Sequence, residues 1–263
     1  MAQKFSTSRS PGGHLLTINS TDEHAAPSSY LEEVAKHGGS HGYVLFSYGS
    51  AEQDALWQRG AKEFPLYVGI VLRPPFSAAR GSMLSVLGAL ALVRTVSRHS
   101  DGKPLIRWVS DIYSGKRKIA FVKTHAALSA DGGLDYATVH LSLLITENFE
   151  GTLHEVVSSV FSSQRETLSE RVAGTLITEF FTLYESFATT DSTAFLDEYR
   201  SLSLLQGKRI RFLRGGKRHR ATVIGIDDNA RLVVTPRRGR SELLCTASEL
   251  YDPKRTRKTQ KPL

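Results

Sequence analysis

The sequence has few cysteine, methionine or tryptophan residues and no long apolar run. Its 263 residues include one Cys, two Met and two Trp. The single Cys245 cannot form an internal disulfide, which is typical of a protein from a reducing compartment. No apolar run approaches the roughly 18–20 residues of a membrane span, and the N-terminal MAQKFSTSRSPGGH lacks the apolar core of a signal peptide. These absences predict a cytoplasmic protein with no membrane segment.

Several short motifs of catalysis and nucleotide binding are also missing. The chain has no GxxxxGKS/T phosphate loop, no GxGxxG fingerprint, no HExxH pair and no CxxC pair. These absences argue against a P-loop nucleotide hydrolase, a Rossmann dehydrogenase and a zinc protease of the HExxH type.

Positive charge is concentrated at the C-terminal end. The whole chain carries 34 Lys+Arg and 26 Asp+Glu, and the segment from Gln206 onward carries 16 of the bases and only 5 of the acids. The first 205 residues are therefore slightly acidic. Charge clustered in this way attracts nucleic acid or an acidic protein partner, and it is also typical of a solvated surface with a basic tail.

Apolar periodicity predicts an α+β chain that ends in short strands. Strands are predicted at 14–19, 43–48, 66–73, 105–109, 118–124 and 136–146, and the last of these is the candidate for the sheet centre. Helices are predicted at 28–36, with Ser28 or Ser29 as N-cap, and at 82–97, 153–162, 166–187 and 192–200. Four or five short strands after Leu205, separated by Gly215-Gly216 and 227–229, predict a small SH3-like barrel. The expected domain boundaries place a large α+β domain at 1–202, the SH3-like barrel at 203–252 and a basic disordered tail at 253–263.

Four stretches together resemble the biotin protein ligase family. The most specific runs from Ile106 to Ala120 and is similar to the family's "KWPNDhY…RKhAG" segment, with the same ten-residue interval between Trp108 and Lys118. The other three stretches are 29–38, which resembles the first helix, 66–74, which resembles the "LYxSxxLRP" strand, and 207–227, which resembles the C-terminal barrel. The resemblance implies a mixed-sheet biotin/lipoate ligase-like catalytic domain followed by an SH3-like β-barrel.

The resemblance also implies substrates, partners and site residues. A ligase of this family joins ATP and biotin as biotinyl-AMP, with Mg²⁺, and transfers biotin to a lysine of a biotin carboxyl carrier protein domain. Lys118 matches the lysine that contacts the biotin carboxylate and the α-phosphate, and Asp111 matches the acid that orients this lysine or holds the Mg²⁺. Further expected substrate and nucleotide contacts are Arg107, Trp108, Arg59, Lys62 and Ser28. Homodimer formation stays open.

The chain departs from the family pattern where the ligand would lie. The family's "GRGRRGR" loop is replaced by 50–64, where Glu52 and Asp54 add negative charge and only Arg59 and Lys62 remain as substitutes for the arginines. Phe121 stands in place of a glycine and is expected to project towards the biotin ring. His140 and Leu144 fill the family's "GIGIN" positions, and His140 on an apolar strand is typical of a hydrogen-bonded core histidine.

Two further functions therefore stay open beside the ligase. One is a catalytically degenerate ligase-fold protein that serves as a binding scaffold for an acidic protein or nucleic acid. The other, lipoate or octanoate transfer, is weaker because the "RRxSGGG" motif is missing and Cys245 lies in the predicted barrel. For Asp111 and Lys118, a plain surface ion pair, and for Trp108, core packing, are the alternatives to ligand contact.

Overall fold

A computed structural model describes residues 4–20, 26–48, 63–145, 162–190, 193–246 and 249–250. These residues form a large mixed sheet with helices on both faces and a small antiparallel sheet. The strands of the large sheet are β1 (Lys4–Arg9), β2 (Leu15–Ser20), β3 (Tyr43–Tyr48), β4 (Phe64–Leu72), β5 (Pro104–Arg107), β6 (Asp111–Ser114), β7 (Arg117–Leu128) and β8 (Leu134–Ile145).

The large sheet has the strand order β1-β2-β3-β4-β8-β7-β6-β5. Neighbouring strands are antiparallel except for β2 and β3, which are parallel. The parallel connection passes through the helix α1 (Pro27–Lys36), as such a crossover requires. The central position predicted for the last long strand is confirmed, because β8 lies between β4 and β7.

Helix α1 begins one residue earlier than predicted and without a serine cap. Ala26 occupies the N-cap position, makes no side-chain cap bond, and is followed by Pro27 in the first turn. Proline suits this turn because its missing N–H would have no intrahelical partner there. The prediction of Ser28 or Ser29 as N-cap is therefore wrong, and Ser28 is a helical residue.

The other helices lie on the opposite face of the sheet. They are α2 (Met83–His99), which follows a short 3₁₀ turn at Ala78–Arg80, α3 (Ser162–Thr190) and α4 (Phe195–Ser201). Helix α2 packs on β7, β8 and α3. The segment Ala78–His99 is long and apolar enough to span a membrane by length and composition alone, which is weak evidence, and 67% of its most apolar window is buried. Packing in the core accounts for its apolar sequence.

Alternation along the strands divides the core between the two faces of the large sheet. On β4, Leu66, Val68 and Ile70 belong to the main core beneath α2 and α3, whereas Tyr67 and Val71 belong to a smaller cluster beneath α1. This is the period of two expected for a strand buried on both faces. The face that α1 covers is called the α1 face below.

The C-terminal strands form the predicted small barrel-like unit. They are β9 (Arg209–Arg214), β10 (Lys217–Ile226), β11 (Leu232–Pro236) and β12 (Glu242–Leu244), in the antiparallel order β12-β11-β10-β9. A bridge from Phe212 to Leu250 returns the chain after β12 to β9, so the sheet curls. Its buried residues join the main core, and the division proposed at 202/203 stays a prediction.

The structure adds two strands to the predicted ones. The polar β1 pairs with β2 at one edge of the large sheet, and the four-residue β6 lies between β5 and β7. The helix predicted at 153–162 lies almost wholly outside the described residues, as does all of the tail at 253–263.

Candidate functional site

A row of side chains crosses the α1 face of the large sheet from strand to strand. Direct pairing places Ser47 opposite Tyr67, Tyr67 opposite Ser142, Ser142 opposite Phe121, and Phe121 opposite Asp111. Residues paired in this way point to the same face. The predicted site residue Asp111 therefore lies on the face that α1 covers, at the β6 end of the row.

A β-bulge in β7 brings Lys118 to this face. In a regular strand, residues 118 and 121 would point to opposite faces because they are three positions apart. Here the register shifts so that Phe121 pairs with Asp111 whereas Lys118 pairs with Tyr113, and the extra residue Ile119 is buried in the main core. The bulge is therefore the local feature that allows Lys118 to meet Asp111.

Lys118 and Asp111 form a partly buried ion pair. The distance from Lys118 Nζ to Asp111 Oδ1 is 2.8 Å, and the side chains are 28% and 16% exposed. The same ammonium lies 4.4 Å from the centre of the Phe121 ring, within the range of a cation–π interaction. The structure thus brings together the two residues that the sequence predicted as catalytic and places the predicted obstacle, Phe121, directly beside them.

Arg107 adds a second cation to this group. It lies at the end of β5, half-buried, and pairs directly with Asp111 across the β5–β6 ladder. Arg107, Lys118 and Asp111 together carry a net positive charge, which suits an anionic ligand such as a carboxylate or phosphate.

Trp108 occupies a different position from these three residues. Its side chain is 3% exposed and belongs to the main core, and its indole N–H donates a 2.7 Å hydrogen bond to the backbone carbonyl of Ala230 in the small sheet. This contact joins the two sheets. Core packing, the alternative left open from the sequence, describes the observed environment, and the nucleotide contact of Trp108 stays a prediction.

The remaining predicted substrate and nucleotide contacts are Ser28, Arg59 and Lys62. Ser28 lies half-buried in the first turn of α1. Arg59 and Lys62, the proposed substitutes for the lost arginines, lie outside the described residues. Their roles stay predictions.

The middle of the α1 face is filled by the chain's own side chains. His140 is 3% exposed, and its ring is held between the Tyr67 hydroxyl, at 2.8 Å from Nδ1, and the Thr138 hydroxyl, at 2.9 Å from Nε2. Burial, assisted by the charges of His125 and Lys123, lowers the pKa of His140 to about 3, so the ring is neutral at physiological pH. The prediction of a hydrogen-bonded core histidine is confirmed.

The tyrosine that completes this filling was not predicted from the sequence. A Cβ atom added at Gly69 would collide with the Tyr67 hydroxyl and lie 2.6 Å from Leu31 of α1, so the space above β4 is fully used. Opposite Tyr67, the hydroxyl of Ser47 is buried and has no hydrogen-bond partner in the described part of the chain. The alternation of β4 could have indicated that Tyr67 points to the ligand face, but its contact with His140 depends on strand pairing.

A separate cleft lies between the large sheet and the small one. Its volume is about 500 Å³, and Ser85, Thr124 and Arg231 are among the residues that line it. Thr124 hydrogen-bonds to Ser85 of α2, at 2.9 Å, so this cleft opens on the face opposite Lys118. It does not belong to the predicted site.

Known structures share this architecture at low sequence identity. Biotin protein ligase from Aquifex aeolicus aligns with a TM-score of 0.62 at 15% identity over 89% of this chain and 94% of its own. The same enzyme in complex with biotin and ATP gives 0.60 at 16% identity, with the same coverage. A biotin protein ligase-like protein of unknown function from Silicibacter sp. TM1040 gives 0.63 at 13% identity over 91% of this chain and 96% of its own.

No protein-family model and no curated protein matches the sequence. The likeness to solved structures at these identities concerns the fold, and it confirms the predicted mixed sheet followed by a small barrel. The chain has the fold of the biotin protein ligases.

Proposed function

We propose that the chain is an ATP-dependent biotin protein ligase, which forms biotinyl-AMP and transfers biotin to a lysine of a biotin carboxyl carrier protein domain in the cytoplasm. One ligase of this fold has been solved in complex with biotin and ATP. The observation in this chain that carries the proposal is the 2.8 Å contact between Lys118 and Asp111 on the α1 face.

The chemistry requires a cation where negative charge accumulates. In the first step, a biotin carboxylate oxygen attacks the α-phosphorus of ATP and pyrophosphate leaves. In the second step, the amine of the carrier lysine attacks the carbonyl carbon and AMP leaves. Lys118 would stabilise the charge on the carboxylate and α-phosphate, and a pre-oriented cation in a partly buried site is effective for this purpose. Asp111 would orient Lys118, and Arg107 would add a second positive charge.

Magnesium, when bound with ATP, would neutralise phosphate charge. Asp111 is the carboxylate predicted to hold it, but this group already accepts a hydrogen bond from Lys118. One salt-bridged carboxylate is a poor fit to a resident magnesium site, which normally relies on carboxylates together with substrate phosphates. The roles proposed for Lys118, Asp111 and Arg107 are independent of the metal.

Calorimetric titration with biotin and with ATP, followed by an assay of pyrophosphate release, tests the proposal. We expect binding of both ligands, and we expect Lys118→Ala to abolish pyrophosphate release. Lys116→Ala is the matched control, since it removes an exposed lysine from the turn between β6 and β7. Absence of both heat and pyrophosphate would contradict the ligase function, and full activity in Lys118→Ala would refute the assigned site.

A binding scaffold is the second candidate, and a specific pairing in the small sheet favours it. Arg211 and Arg220 are both exposed and lie directly opposite each other on β9 and β10. Like charges in this arrangement are destabilising, so an anionic partner would relieve their repulsion. The filled α1 face also supports a role that needs no bound biotin.

Nucleic-acid binding tests this second function. Fluorescence anisotropy of a labelled oligonucleotide should show affinity that falls steeply with salt, as counterion release predicts. The double variant Arg211→Ser/Arg220→Ser should reduce both the affinity and the salt dependence. If the wild-type protein does not bind the oligonucleotide, or if its affinity does not depend on the salt concentration, nucleic acid is not the partner.

A further inference from the structure

Three potential metal ligands converge on the α1 face, away from the Lys118–Asp111 pair. They are Glu32 of α1, His125 of β7 and His140 of β8, and each offers one ligand atom within 4.8 Å of the other two. Glu32 Oε1 lies 3.4 Å from His125 Nδ1 and 3.8 Å from His140 Nε2. We propose that these three residues form a binding site for a divalent transition-metal ion of the zinc type.

The distances fit the size of a tetrahedral site. Zinc–nitrogen and zinc–oxygen distances of about 2.0–2.1 Å imply that neighbouring ligand atoms lie about 3.3 Å apart. The distances from Glu32 to the two histidines, 3.4 and 3.8 Å, lie close to this value. The ligand atoms of His125 and His140 lie within 4.8 Å of each other, so the two rings must approach slightly to bind the ion. Two imidazoles and one carboxylate are a donor set suited to zinc, whereas magnesium and calcium prefer oxygen ligands alone.

The surroundings of His140 supply the orientation that a metal-binding histidine requires. Such histidines commonly use their second nitrogen in a hydrogen bond that fixes the ring, and here Nδ1 lies 2.8 Å from the Tyr67 hydroxyl. When Nδ1 carries the proton, Nε2 presents a lone pair towards Glu32.

Two neighbours oppose binding and set its expected strength. The Thr138 hydroxyl lies 2.9 Å from the same Nε2 and must release it to the metal. Lys123 is on the same strand as His125, and its positive charge acts on His140. Glu32 supplies a compensating negative charge. We therefore expect Thr138→Val and Lys123→Ala to bind zinc at least as tightly as the wild type.

The site is accessible to a metal ion from solvent. The side chains of His125 and Glu32 are 55% and 42% exposed, whereas His140 is buried beneath them. Water can therefore supply the fourth ligand. A bound ion would connect α1 to the two central strands β7 and β8 and so hold this helix against the sheet.

A second pair in α1 provides an internal control. Glu33 and His37 also lie 3.4 Å apart, and both are exposed. No third ligand joins them within the described residues. Two ligands bind zinc weakly, so this pair should contribute little to the affinity of the protein.

Titration of untagged, EDTA-treated protein with zinc chloride by calorimetry tests the proposal. We expect one equivalent of zinc to bind. When cobalt replaces zinc, we expect the visible absorption spectrum of a tetrahedral cobalt ion. His125→Ala and Glu32→Gln should each weaken binding by more than tenfold, and Tyr67→Phe by about 10–100-fold, as is usual for a residue that orients a ligand. His37→Ala and Glu33→Gln should leave affinity unchanged.

Thermal unfolding separates a lost site from a lost fold. Zinc should raise the melting temperature of the wild type and of Lys118→Ala, because binding to the native state stabilises it, but it should not raise that of folded His125→Ala. Absence of zinc binding in the wild type, or wild-type affinity in His125→Ala, would overturn the proposal. Neither result depends on ligase activity.

Discussion

At the scale of single residues, the side chain that most restricts the candidate site is Phe121. Its ring is 7% exposed and lies beneath the ammonium of Lys118. The resemblance to the ligases places a glycine at this position. The aromatic ring therefore gives Lys118 a cation–π contact and at the same time removes space beside it.

Phe121→Gly should increase affinity for biotin if this residue limits the pocket. Removing the ring opens volume next to Lys118, while the ion pair with Asp111 remains. Calorimetry with biotin measures the change, and Leu128→Ala, an exposed substitution on the same strand, is the control. Unchanged or weaker binding would contradict the restricting role of Phe121.

A second residue-scale prediction concerns His41 and pH. Burial, and then the charge of His14, lowers the pKa of His41. The unfolded chain therefore takes up the proton first as the pH falls through the ordinary value of about 6.5, so the free energy of unfolding decreases below that pH and is fully retained above it.

Urea unfolding at pH 5 and pH 7.5 measures this dependence. His41→Asn keeps an acceptor for the backbone N–H of Arg73, which lies 3.0 Å from Nδ1. The variant should show a smaller difference between the two pH values. Some dependence will remain, because the pKa of His140 is lowered as well. An unchanged difference would contradict the role of His41.

At the scale of secondary-structure elements, the packing of α1 on β4 decides how much room the α1 face has. Gly69→Ala should destabilise the protein by about 1–3 kcal/mol, which is typical of overpacking, because its Cβ would meet Tyr67 and Leu31. Tyr67 cannot move without giving up its hydrogen bond to His140. Urea unfolding measures the loss.

A glycine-to-alanine substitution on α3 should have the opposite effect on the free energy of unfolding. Gly174 is exposed and would place its Cβ in open space. Gly174→Ala should therefore stabilise the protein by about 0.5–1 kcal/mol, since alanine loses less backbone entropy in a helix. An increase in stability for Gly69→Ala like that expected for Gly174→Ala would contradict crowding above β4.

At the scale of the whole molecule, the two sheets share one core and are joined by the hydrogen bond from Trp108 to Ala230. We expect Trp108→Phe to destabilise the protein by about 1–3 kcal/mol, because it leaves the carbonyl of Ala230 unsatisfied. Both sheets should still unfold in one transition. Unfolding monitored by two spectroscopic probes tests this, and two separate transitions in the wild type would contradict a shared core.

The sequence predicted the elements well because apolar periodicity is a local property. The sequence pattern predicted four strands of the large sheet, β3, β4, β7 and β8, and the helices α1 and α2. Their observed ends differ from the predicted ones by a few residues at most. The polar edge strand β1 carries little periodic signal and was missed, and so was the short strand β6. The helix cap at Ser28 or Ser29 was wrong because Pro27 already suits the first turn.

The sequence by itself determined the α+β order of elements, the basic C-terminal sheet and the candidate residues Lys118 and Asp111. Only the tertiary structure decided which side chains meet. The bulge at Ile119 brings Lys118 to the face of Asp111, and strand pairing joins Tyr67 to His140 across 73 positions. Glu32 likewise meets His125 only because α1 packs on the sheet. Such contacts depend on register and on long-range packing, which local periodicity does not encode.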